Sequence, residues 1–160
     1  IYRRLREKYK PAKIDILFVG ESPPLPKDPS LFPYFYNEKE DRPRTLYRKI
    51  AYALNLKRPK AKGLEDFKNK NMWLIDIFDE PVKNVKPEKV EAHLERLLRE
   101  IEETCPRKIT VLLPKKIQNQ IFLYFIKRQV PPNIKVYYTN PWAENKENLI
   151  EFLSKVLKDP

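Results

Sequence analysis

The chain has 160 residues, of which 41% are hydrophobic, 12% aromatic and 34% charged. That is too apolar for a disordered segment, and a chain of this length suits one domain that buries roughly 70% of its unfolded surface. A net charge of +11 favours an anionic partner. The two glycines, Gly20 and Gly63, are too few for a P-loop or a dinucleotide fingerprint.

The predicted elements alternate. A short helix carrying Leu5 and Tyr9 precedes a first apolar run, Ile14–Val19. A Pro- and aromatic-rich loop over 21–42 follows, and such loops in compact domains usually carry function. Leu46, Ile50, Ala53 and Leu54 share one face of a helix at about 43–56. The second run, Trp73–Phe78, leads to a helix at about 87–103 with Val90, Leu94, Leu97, Leu98 and Ile101 on one face and Pro87 in its first turn. The third run, Ile109–Leu113, precedes a helix at about 115–127. The fourth, Ile134–Tyr138, precedes a helix built on Leu149, Ile150, Leu153, Val156 and Leu157. Nearly continuous runs rich in β-branched and aromatic residues read as buried parallel strands. Their alternation with helices predicts a three-layer α/β domain spanning 1–160.

Cys105 and His93 stand alone in the sequence, so no disulfide, zinc knuckle or iron–sulfur site can be assembled within it, and no metal or cofactor is expected. Cys105 reads as a small buried residue and His93 as structural. No apolar run approaches the ~18 residues of a membrane span. The opening IYRRLREKYK lacks the apolar stretch of a secretory leader. A cytoplasmic monomer without membrane contact is expected. Segments 1–13, 42–70 and 107–160 are net basic and 14–41 and 71–106 net acidic, which supports a basic face. A Lys-rich surface with sixteen prolines also fits a heat-adapted protein.

In an open α/β sheet, ligands bind beyond the carboxyl ends of the strands. There the sequence places Gly20-Glu21-Ser22-Pro23-Pro24, Phe78-Asp79-Glu80-Pro81, Pro114-Lys115-Lys116 and Thr139-Asn140-Pro141-Trp142. Gly20 permits a sharp turn or close approach, and Glu21 brings a carboxylate to the mouth of the sheet. Tyr34, Phe35 and Tyr36 either stack on a ligand or pack beneath their loop. Asp76 either faces the ligand or pairs with an arginine such as Arg48. Asn140 before Pro141 also suits a helix cap.

The string Leu17-Phe18-Val19-Gly20-Glu21-Ser22-Pro23 resembles the first motif of the uracil-DNA glycosylase superfamily. The resemblance continues in order through the aromatic triplet, Asp76 where many members carry an Asn that reads the uracil edge, and Asn140-Pro141-Trp142 at the last motif. It implies a four-stranded parallel sheet in order 2-1-3-4 and DNA as partner. Glu21 is then the carboxylate that orients the attacking water. Gly20, Ser22, Tyr34, Phe35, Tyr36, Asp76 and Asn140 receive a flipped, deaminated base, with extrusion costing a few kcal/mol. Arg42, Arg44, Lys115, Lys116 and Trp142 hold the nucleic acid. The sequence differs from the family at Pro24, where the motif closes on Gly, in having no His in the last motif, and in lacking iron–sulfur cysteines. A carboxylate at 76 would accept hydrogen bonds from a base N–H or amine and repel a carbonyl oxygen. The rival readings are a nucleic-acid-binding protein on the same fold without catalysis, and a small-molecule hydrolase or interaction protein using the same cleft.

Overall fold

The computed structural model describes residues 1–28 and 32–160. In chain order the elements are α1 (Tyr2–Lys8), β1 (Ile16–Gly20), α2 (Leu46–Leu54), α3 (Lys60–Asn69), β2 (Met72–Asp76), α4 (Pro87–Thr104), β3 (Lys108–Leu112), α5 (Lys115–Arg128), β4 (Lys135–Thr139) and α6 (Lys146–Lys158). The four strands form one parallel sheet in the order β2-β1-β3-β4, as expected. Helices α2 and α6 pack on one another, as do α4 and α5, giving the three-layer sandwich.

β1, β2 and β3 are buried at every position, which their continuous apolar runs require. β4 differs from the expectation of a buried strand. It lies at the sheet edge, and only Thr139 is buried. The stripe of α4 is as expected, with all five of its apolar residues in the core. In α2 the buried residues are Tyr47, Ile50 and Ala51, so the helix turns a slightly different face inward. Its N-cap is Thr45, whose hydroxyl accepts from the Arg48 amide.

α3 was not expected, because Leu64 and Phe67 are its only large buried apolar residues and Gly63 interrupts it. The glycine has a packing reason. A Cβ there would overlap the Tyr47 hydroxyl of α2. Phe67 completes an aromatic chain from β1 to the loop, with Phe18 at 5.6 Å and Phe35 at 5.5 Å between ring centroids. The 32–42 segment is thereby anchored in the core while it roofs the carboxyl end of the sheet.

Candidate active site at the carboxyl end of the sheet

Beyond β1 and β2 lies a cavity of about 590 Å³. Its lining includes Glu21, Ser22, Tyr34, Phe35, Arg42, Arg44, Asp76 and Trp142, eight residues singled out in the sequence, together with Lys60, Glu40, Leu46, Tyr47, Leu74, Leu112 and Pro114. The volume lies in the range of small-ligand sites.

Asp76 is the most informative group. It ends β2 opposite Gly20 and is 7% exposed. Among the described residues its carboxyl has no hydrogen bond and no ion pair. The pairing with Arg48 is not formed, because Arg48 binds Asp41 instead. Gly20 does not line the cavity. A Cβ at that position would overlap Asp76 Oδ1, so the glycine exists to admit this carboxyl. Burial pushes Asp76 up to about 7. Arg6 and Arg96 pull the value down, and Asp79 and Glu21 raise it further. Near neutral pH the neutral carboxylic acid is therefore accessible beside the acceptor-only carboxylate. A carboxylic acid offers one O–H donor beside one C=O acceptor, the same pair of functions as an Asn amide.

The backbone at Asp76 is held from behind. Arg96 Nη2 donates to the Asp76 carbonyl at 2.7 Å and also to that of Ile77. Asp79 Oδ1 accepts from Arg6 Nη1 at 2.9 Å and lies 2.9 Å from Arg96 Nη1. The Phe78–Pro81 segment thus supports the site from outside the cavity instead of lining it. Arg6 and Arg96 were not foreseen, since each lies among other charged residues on its helix.

Glu21 leaves the strand at the cavity mouth, half-buried, and its carbonyl accepts from the Phe78 amide at 3.0 Å. Its side chain has no partner among the described residues. Burial raises its pKa. Glu21 and Asp76 are thus two unpaired carboxyl groups on one cavity, both raised by burial.

The aromatic triplet divides. Tyr36 is fully buried, its hydroxyl accepts from the Leu74 amide at 2.6 Å and donates to the Leu74 carbonyl at 2.7 Å, and it does not reach the cavity. Its assignment as a base-stacking residue is corrected: it ties the loop to β2. Tyr34 and Phe35 are largely buried as well, at 4% and 7% exposure, but both border the cavity. Burial raises the Tyr34 phenol, so it remains a neutral donor.

Lys60 was missed because nothing distinguishes it within a basic run. It is 2% exposed, donates to the carbonyls of Tyr34 at 3.0 Å and Glu40 at 2.7 Å, and sits over the Tyr47 ring. Burial lowers its pKa to about 8. Arg42 pairs with Glu40, while Arg44 has no carboxylate partner among the described residues.

Asn140, Lys115 and Lys116 lie off the cavity lining. The Asn140 side chain accepts from the Trp142 amide at 3.1 Å and shapes the turn after β4, whereas Asn145 caps α6. Trp142 itself is 57% exposed at the cavity rim. Lys115 and Lys116 are exposed in the first turn of α5. Cys105 is exposed instead of buried, in a left-handed helix cap. His93 is an exposed residue against Phe78. Among the described residues no group of His, Cys, Asp or Glu is placed to hold a metal, and no helix is long and apolar enough to cross a membrane. Compared with family models and with curated proteins, the chain finds no match.

Proposed function

We propose that the chain is a base-recognising N-glycosyl hydrolase acting on DNA, with the cavity receiving an extruded, deaminated base. The observation that carries the reading is Asp76, a buried carboxyl without a partner that borders a cavity with room for a base and its sugar. An unsatisfied buried polar group costs stability and persists where a ligand completes it. The resemblance of Leu17–Pro23 to the first motif of the uracil-DNA glycosylase superfamily supports the same reading.

In this reading Tyr34 and Phe35 offer ring edges or faces to the base, and the protonated Asp76 carboxyl meets an edge with one donor beside one acceptor. The N3–H and carbonyl oxygen of uracil form such an edge. As the C1′–N bond breaks, its electrons pass to the base and its oxygen becomes more negative. The Asp76 O–H then stabilises the leaving group, the role a His plays in many members of the resembled family. Glu21, ionised, accepts a proton from the water that adds to C1′. Activity falls at acid pH as Glu21 is protonated, and falls again as pH rises through about 7 and Asp76 ionises.

The test is base release from single- and double-stranded oligonucleotides carrying uracil, hypoxanthine or xanthine, scored as alkali-labile abasic sites. Glu21→Gln should lower release by about 10²–10⁴-fold while sparing binding. Release by Glu21→Gln equal to that of the parent removes the catalytic assignment. Salt-sensitive binding with no release by the parent identifies a binding protein instead.

A further inference from the structure

A second concavity of about 510 Å³ lies beside the first, between α2 and the start of α6. Arg44 lines both, and Lys49 of the second sits 5.3 Å from the ring of Trp142 on the rim of the first. The two spaces are therefore neighbours along one surface. At the groove's other side Lys146 lies 4.9 Å from the ring of Tyr52, which is 60% exposed.

The chemistry of this groove is one-sided. Among the described residues Arg44, Lys49, Arg58 and Lys146 have no carboxylate partner, and Glu144 is the one acid in the lining. The floor is apolar, formed by Ala51, Leu56 and Leu149. Arg44 also adopts φ 67°, a left-handed conformation that residues other than glycine rarely enter. This conformation occurs at the residue common to both cavities.

We infer that this groove is a binding site for a single-stranded DNA segment continuous with the nucleotide held in the main cavity. The inference rests on the DNA reading above. Phosphates meet Arg44, Arg58 and Lys146, and unpaired bases lie over the apolar floor and Tyr52. Base–aromatic stacking of this kind tolerates any sequence. A duplex keeps its bases paired inside the helix and would leave Tyr52 and the floor unused. The groove thus selects a single strand flanking the target nucleotide.

The experiment is fluorescence anisotropy of the whole protein with labelled oligothymidylate and with a duplex of the same length, across a salt series. Arg58 and Lys146 are both exposed, so their replacement leaves the core intact. For the single strand, Arg58→Ala/Lys146→Ala should reduce the slope of log affinity against log salt by about 1.4, or about 25-fold in affinity at 0.1 M salt. Tyr52→Ala should weaken single-strand binding about tenfold and leave the salt slope unchanged. The duplex should respond less to all three changes. An unaltered slope in the double variant overturns the inference, as does an equal loss for the duplex, which would mark a general phosphate surface. So does a parent protein that binds no single strand. Base release is read separately as abasic product, so failure of the hydrolase reading shows in that assay and failure of the groove in this one.

Discussion

The two ends of the sheet treat buried charge in opposite ways. At the amino end, Lys108 begins β3 at 4% exposure and its ammonium donates to the Val156 carbonyl at 2.5 Å. Backbone bonds close that end, with Asp15 accepting from the Arg107 and Lys108 amides and Asn71 from the Asp15 and Ile16 amides. At the carboxyl end, Asp76 is buried without a partner and Glu21 stands free beside it. Burial displaces the pKa of Lys108 and of Asp76 away from the charged form alike. Only at the carboxyl end does the group face a cavity. A buried charge tied to a carbonyl is structure, whereas one left open to a cavity is a binding determinant.

The largest expected effect comes from relieving the open end. Asp76 ionises near 3.8 when unfolded and near 7 when folded. The folded state therefore holds the extra proton between these values, and stability declines as pH rises from about 4 to about 7. Above that window the loss amounts to roughly 4 kcal/mol. Asp76→Asn should be more stable than the parent by that order at pH 8 and equal to it near pH 4, measured by urea unfolding. A stability difference independent of pH would break the comparison.

A somewhat smaller effect separates Lys60 from Lys108. Lys60→Met leaves the Glu40 carbonyl without a donor and the Tyr34 carbonyl with the Asn37 amide alone, and should cost about 2 kcal/mol. Lys108→Met leaves one carbonyl unmet and should cost about 1 kcal/mol. Equal costs would show that the roof over the cavity does not depend on Lys60. Gly20→Ala should cost about 2 kcal/mol, since its Cβ overlaps Asp76 Oδ1. In the background of Asp76→Ala the same change should be nearly neutral, because contacting residues are not additive.

The four strands and five of the helices were legible because continuous apolar runs and α-helical stripes each report a burial pattern, whereas the strand order was implied by the resemblance of the first motif. Lys60–Asn69 escaped because a helix resting on Leu64 and Phe67 has too narrow a stripe to register. The cavity was foreshadowed by Gly20-Glu21 and by an Asp inside an apolar run. Tyr36 was misread because a buried aromatic with its hydroxyl on Leu74 has the same sequence appearance as a ligand-facing one. Lys60, Arg6 and Arg96 carried no local signal. Their importance comes from where tertiary contacts bury them, next to carbonyls and to Asp79.

The central claim is that Asp76 is a carboxylic acid poised to meet a base. It is tested most directly by NMR titration of protein labelled at the aspartate Cγ, between about pH 4 and pH 9. One resonance should titrate near 7, disappear in Asp76→Asn, and titrate higher when Glu21→Gln protein is saturated with a uracil-containing oligonucleotide. Every aspartate titrating below about 5, or a resonance near 7 that the oligonucleotide leaves unmoved, would contradict the account.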